Sequence, residues 1–133
     1  GDIAILSRND DLAFAALRKL LSKENIPWAH FRDDGFEILE NQVKLLTMHS
    51  AKGLEFPVVF MIDLRDGVIP YIASPETEDS DLAQERKLFY VSMTRASERL
   101  YMLYPKQDRC RFLRDLAPEN VVTIKVPFHD KLY

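Results

Sequence analysis

The sequence has little of what several classes of protein depend on. It holds a single cysteine, Cys110, which excludes an internal disulfide and a zinc site built from several cysteines. Its longest apolar runs, such as residues 56–62, fall far short of the ~20 residues of a membrane-spanning helix. No positively charged start followed by an apolar stretch suggests a secretory signal. We therefore expect an intracellular, cytoplasmic domain with no metal site of its own and no membrane partner.

Glycine is also scarce. The chain has only four glycines, and no G-x-x-x-x-G-K-[ST] phosphate-binding loop occurs in it. The net charge of −3 argues against a surface that coats nucleic acid, although a local strip of phosphate contacts remains possible. The chain opens on Gly1-Asp2-Ile3 and enters a strand-like run at once, so we expect it to be a piece of a longer protein.

Apolar runs alternate with amphipathic stretches along the 133 residues. The pattern predicts strands at residues 3–6, 28–31, 43–48, 58–63, 99–104 and 121–126. It predicts helices at residues 12–24, 82–97 and 109–116, a turn region at 32–42 and an irregular loop at 64–81. Strands that are apolar on both faces and alternate with helices indicate an α/β fold, with a mainly parallel sheet flanked by helices.

A polar stretch, T-M-H-S-A-K-G-L-E-F at residues 47–56, connects two of the predicted strands. Loops at the carboxyl ends of parallel strands form the ligand-binding edge of such a sheet. We therefore expect its functional side chains to lie where a ligand would bind: His49, Ser50, Lys52 and Glu55. Gly53 supplies a backbone angle that other residues resist. A polar connection with a glycine turn is the alternative, and the spacing alone does not separate the two.

A second stretch, E-R-K-L-F-Y-V-S-M-T-R-A at residues 85–96, falls in a predicted helix. Arg86 and Arg95 are nine positions apart, which puts them on opposite faces of that helix. At the helix C-terminus, Arg95 would gain ~0.3–1 kcal/mol from the helix dipole. Its guanidinium is equally a planar fork suited to phosphate.

Taken together and in this order, the two stretches resemble the UvrD/Rep/PcrA group of superfamily 1 helicases. The first is similar to that family's fifth motif and the second to its sixth. Residues 2–9, D-I-A-I-L-S-R-N, resemble the segment that begins the same lobe. The resemblance covers nearly all of residues 2–103. It implies a RecA-like lobe, the second of a DNA-dependent ATPase, that occupies residues 1–133 as a single domain.

The resemblance also implies a role for individual residues. Arg95 would reach the γ-phosphate of ATP bound with Mg²⁺, and Glu55 and Gly53 would lie beside the nucleotide. Single-stranded DNA would run past Thr47, His49 and Ser50. The role of Lys52 stays open, and Tyr90 and Thr94 would position the helix that carries Arg95.

The phosphate cradle and the magnesium-holding carboxylate would belong to an N-terminal RecA-like lobe, which is the implied partner. The chain alone is therefore predicted not to hydrolyse ATP. Members of the family often carry a large inserted subdomain, whereas only residues 32–42 separate Phe31 from Val43 here. That insertion is expected to be absent, which suggests a compact relative.

Three functions are compatible with these features. The first is the C-terminal motor lobe of an ATP-dependent DNA helicase or translocase. The second is a nucleic-acid-remodelling or RNA-polymerase-associated factor that uses the same ATPase core for dissociation. The third is a non-catalytic interaction domain, against which the presence of both Glu55 and Arg95 counts.

Overall fold

Five strands form one sheet in the order β2-β3-β1-β4-β5, and every neighbouring pair is parallel. The computed structural model describes residues 3–10, 12–31 and 41–126. The strands and α-helices, in chain order, are β1 (Ile3–Ser7), α1 (Leu12–Lys23), β2 (Trp28–His30), β3 (Val43–Thr47), β4 (Phe56–Met61), α2 (Glu78–Met93) and β5 (Ala96–Met102). A short 3-10 turn at Pro75–Thr77 precedes α2, and two more, at Arg111–Asp115 and Pro118–Asn120, follow β5. The predicted α/β fold of RecA-like type, with a parallel sheet, is confirmed.

The sheet is apolar on both faces because each face is covered by a different helix. On the α2 face, alternate side chains of the central strands meet Phe89, which is fully buried. On the α1 face, Ile5 and Leu45 pack against Phe14 and Leu21. Side chains of a strand point alternately to the two faces, so strands buried on both sides need the continuous apolar runs seen in the sequence.

The helix predicted at residues 82–97 is shifted in the structure. It begins at Glu78, where Glu78, Asp79 and Asp81 lie in the first turn and favour the positive end of the helix dipole. It ends at Met93, so Arg95 lies outside it, in the two-residue turn before β5. The expectation that Arg95 is a helical residue opposite Arg86 is therefore wrong.

The strand predicted at residues 121–126 does not form. These residues have no regular structure, and Val122 is 89% exposed. The helix predicted at 109–116 is a 3-10 turn at Arg111–Asp115, which buries Phe112 completely. Most of the predicted turn region at 32–42 lies outside the described residues. Within the described ranges, no helix has the length and apolar character needed to cross a membrane.

Candidate functional site

The connection between β3 and β4 runs from one edge of the sheet to the other. Thr47 ends β3 beside the end of β1, and Phe56 begins β4 beside the start of β5. The backbone N–H of Ile62 donates to the carbonyl oxygen of Leu6 at the carboxyl edge. The six residue steps from Phe56 to Ile62 span roughly 20 Å at ~3.3 Å each. His49 and Ser50 follow β3 at the carboxyl edge, whereas Glu55 lies at the amino edge. The expectation that these three share one edge is wrong, because the chain must return to the amino edge to start a parallel strand.

At the amino edge, Arg95 is bonded to the chain on both sides of Glu55. Its Nη1 donates to the carbonyl oxygen of Leu54 at 3.0 Å, and its own carbonyl accepts from the N–H of Phe56 at 2.8 Å. Residues 41 positions apart in the sequence are thereby joined. The structure thus brings Arg95 and Glu55 to one place, as the resemblance implies.

The Arg95 guanidinium also caps α2. Its Nε donates to the carbonyl oxygen of Val91 at 3.1 Å, and its Nη2 donates to Oγ1 of Thr94 at 2.9 Å. Oγ1 of Thr94 in turn donates to the same Val91 carbonyl at 2.7 Å. Carbonyls in the last turn of a helix lack intrahelical partners, so this network satisfies one of them. Thr94 therefore fixes the direction of the guanidinium.

The same network leaves part of the guanidinium unused. An arginine side chain carries five N–H donors, and Arg95 uses three of them on described residues. The side chain is neither fully buried nor fully exposed. A guanidinium held in place with donors to spare is suited to an anion that approaches from solvent.

Gly53 has a φ of 80°, in the left-handed region that residues with a Cβ rarely adopt. A Cβ built on it would meet nothing within 4 Å, so the requirement is for the backbone angle and not for space. Gly53 therefore turns the chain toward Leu54 and Glu55. The exposed Glu55 side chain presents a carboxylate that can accept hydrogen bonds from hydroxyl groups.

At the carboxyl edge, the Thr47 hydroxyl organises the start of the connection. Its Oγ1 accepts from the backbone N–H of Ser50 at 3.2 Å and lies 2.9 Å from Oγ of Ser50. Residues 48–51 close a tight turn, in which the N–H of Ala51 donates to the Thr47 carbonyl. The turn exposes His49 to solvent.

Tyr90 and Arg86 lie on α2 away from Arg95. Desolvation raises the pKa of the Tyr90 phenol, and the nearby Asp115 carboxylate raises it further. The Arg86 guanidinium lies 5.3 Å from the centre of the Phe112 ring, and its Nε is 3.7 Å from Asp115. These contacts hold the Arg111–Asp115 turn against the helix, which is a packing role.

An ion pair that the sequence analysis did not single out lies at the carboxyl edge. Arg8, directly after β1, donates from Nη2 to Oε1 of Glu85 at 2.9 Å and from Nε to both carboxylate oxygens. Oε2 of Glu85 also accepts from the backbone N–H of Tyr71 at 3.1 Å. The pair thereby joins β1, α2 and the loop after β4. Both residues stand in the stretches quoted above, but nothing in their local pattern indicates that they meet.

The described residues fit part of an ATP site. Arg95 has donors for a phosphate, and Glu55 has acceptors for a sugar hydroxyl. Among the described residues, no three His, Cys, Asp or Glu side chains come together as a metal site.

Comparison with known proteins gives the family of the chain. Residues 30–107 match the family model of the UvrD-like helicase C-terminal domain. The chain is 47% identical over 94 residues to the ATP-dependent DNA helicase PcrA of Staphylococcus aureus, an alignment that covers 62% of the chain and 13% of that protein. It is 40% identical over 100 residues to the PcrA of Leuconostoc citreum, covering 68% of the chain and 13% of the relative. The chain thus spans about 13% of the length of the curated relatives it matches.

The solved structures of similar fold include the C-terminal domain of a possible DNA helicase from Lactobacillus plantarum WCFS1, with a TM-score of 0.61 and 22% identity. The alignment covers 89% of this chain and 64% of that one. At this identity the likeness concerns the fold alone. From the family match over residues 30–107, the chain belongs to the UvrD-like helicase C-terminal domain family.

Proposed function

We propose that the chain is the C-terminal motor lobe of an ATP-dependent DNA helicase or translocase, working with a first RecA-like lobe. The observation that carries the proposal is the bonding of Arg95 to Leu54 and Phe56, on either side of Glu55. It gathers at one edge the residues that the resemblance assigns to the nucleotide. Relatives named as ATP-dependent DNA helicases are 40–47% identical to the chain over 94–100 residues.

In this proposal the amino edge faces the nucleotide. Hydrolysis of ATP, with Mg²⁺ held by the first lobe, supplies the free energy of the cycle. Arg95 directs its remaining N–H donors at the γ-phosphate, where negative charge develops as the phosphoryl group leaves. An arginine in such a position contributes roughly 10³-fold or more to the rate. Glu55 accepts from a hydroxyl of the nucleotide sugar, and Gly53 holds the chain in the required turn.

The carboxyl edge faces the DNA in the same proposal. His49, on the turn that Thr47 and Ser50 close, contacts a single strand, and the bonded hydroxyl pair of Thr47 and Ser50 lies beside that contact. Residues 48–55 then connect the two ligands directly. A shift of the DNA against His49 is transmitted along one short segment to Glu55.

Substitution of Arg95 tests the proposal. In the protein that joins this chain to the first lobe, Arg95→Ala is expected to lower kcat by roughly 10³-fold or more, with a much smaller change in KM for ATP. Arg95→Lys is expected to fail similarly, because an ammonium lacks the planar fork. The measurement is steady-state ATP hydrolysis, with Arg99→Ala as the control, since Arg99 is an exposed arginine of β5.

Because Arg95 also caps α2, stability is measured alongside turnover by thermal unfolding of each variant. A near-normal kcat in Arg95→Ala, with only a lowered unfolding temperature, would reduce Arg95 to its capping role.

A further inference from the structure

An open groove lies on the outer side of α1, away from the site described above. Its lining residues are Ala15, Arg18, Lys19, Ser22, Lys23 and Trp28, and its volume is about 690 Å³. Since α1 covers one face of the sheet and α2 the other, the groove and the Arg95 network are on opposite faces. Nothing in the proposed reaction uses these residues.

The charged side chains that line the groove are all positive. The twelve residues of α1 include three cations and no acid, in a chain whose net charge is −3. Arg18 is engaged, since its Nη1 lies 3.5 Å from Asp10 and 3.4 Å from Nδ1 of His30. Lys19 and Lys23 are exposed, and neither has an ion-pair partner among residues 3–10, 12–31 and 41–126.

An indole forms one wall of the groove. Nε1 of Trp28 donates to Oγ of Ser22 at 2.9 Å, and the ring packs against the core beneath α1. These two contacts fix its orientation, while part of the half-buried side chain lines the groove. A fixed, half-exposed aromatic ring is a surface on which an unpaired base can stack.

We propose that this groove is a second contact for single-stranded nucleic acid, with phosphates at Lys19 and Lys23 and a base against Trp28. Lys19 and Lys23 are four residues apart on the helix, which separates them by about 6 Å along its axis. That spacing lets them meet phosphates along one strand. A duplex keeps its bases paired and out of reach of the indole, so the aromatic wall favours a single strand. The identification of the ligand as a nucleic acid rests on the proposed function.

The chain provides its own probe, because Trp28 is its only tryptophan. Titration of the chain with oligothymidylate at low salt is expected to quench the tryptophan fluorescence. The double variant Lys19→Glu/Lys23→Glu is expected to bind about 10-fold more weakly or worse, and to flatten the salt dependence. For single strands, the loss of two phosphate contacts lowers the slope of log K against log salt by about 1.4.

A matched control has the same change in charge at another place. Lys87→Glu/Lys106→Glu reverses two exposed lysines of α2 and of the segment after β5, and is expected to leave the quenching unchanged. Inorganic polyphosphate is expected to compete for the lysines without quenching the indole, because it carries no base. Trp28→Leu is expected to lower the affinity for the oligonucleotide, with less effect on the slope of log K against log salt. Because this variant has no tryptophan, its binding is measured by the fluorescence anisotropy of a labelled oligonucleotide.

The inference is overturned if oligothymidylate does not quench Trp28, or if both double variants weaken binding equally. The inference is also overturned if His49→Ala abolishes DNA binding while Lys19→Glu/Lys23→Glu leaves it unchanged. That result would leave the proposed function intact. If single-stranded DNA does not stimulate ATP hydrolysis by the unaltered protein, that result counts against the proposed function, whatever the fluorescence shows.

Discussion

The Arg8–Glu85 ion pair shows how much one residue contact can determine in this lobe. The Arg8 side chain is 17% exposed and that of Glu85 only 9%. The carboxylate also accepts from the backbone N–H of Tyr71, a residue that is itself 54% exposed, so the burial of the pair rests on Arg8 and Glu85. In such a site, removal of one partner leaves an uncompensated charge, which costs more than the pair itself contributes.

Glu85→Ala is accordingly expected to lower the free energy of unfolding of the chain by about 2–4 kcal/mol. It strands both the Arg8 guanidinium and the Tyr71 N–H. Glu98→Ala, at an exposed position of β5, is the control and is expected to change stability by less than about 0.5 kcal/mol. Urea unfolding measures both.

The double variant Arg8→Ala/Glu85→Ala is expected to cost at least about 1 kcal/mol less than the sum of the single variants. Strict additivity of the two substitutions, or a Glu85→Ala effect no larger than that of Glu98→Ala, would show that the pair is not a stabilising contact.

Some contacts between individual residues can be predicted from the sequence, and others cannot. Arg95 and Glu55 were identifiable because each belongs to a stretch with a recognisable order of residues. Arg8 and Glu85 are 77 positions apart, and no periodicity relates them. Only the folded sheet, which places the end of β1 beside α2, makes them neighbours.

At the scale of elements, helix and strand types were easier to predict than their boundaries. The sequence predicts a loop through residue 81, but Glu78, Asp79 and Asp81 lie in the first turn of α2 and stabilise its N-terminus. The alternation at 121–126 favours a strand locally. A strand also needs a partner, and the structure pairs this segment with none of the five strands.

Residues 121–126, which pair with none of the five strands, give a prediction about stability. Val122→Asp/Ile124→Asp is expected to change the free energy of unfolding by less than about 0.5 kcal/mol, because both side chains are exposed. Phe112→Ala, in the neighbouring 3-10 turn, is expected to cost about 3–5 kcal/mol, since its ring is fully buried. Chemical denaturation compares them. A large loss of stability in the double aspartate variant would indicate that residues 121–126 pack against the lobe after all.

At the scale of the whole molecule, the sheet separates two edges and residues 48–55 join them. Because His49 and Glu55 lie in one loop, the sequence predicts both at the carboxyl edge. The parallel order of strands overrides this, since β4 must start roughly 20 Å from where β3 ends. The corrected geometry places His49 and Glu55 at opposite edges, and in the proposed function each edge then faces a different ligand.

The most direct test of the central claim is the rate of ATP hydrolysis with and without single-stranded DNA, measured on the protein that joins this chain to the first lobe. We predict stimulation by single-stranded DNA in the unaltered protein. His49→Ala is predicted to reduce the stimulated rate more than the basal rate, whereas the exposed-site control Glu98→Ala reduces neither. A remodelling factor would respond weakly to bare DNA and strongly to a protein partner, with or without His49. An unaltered protein that single-stranded DNA fails to stimulate would contradict the assignment of this lobe to a DNA translocase.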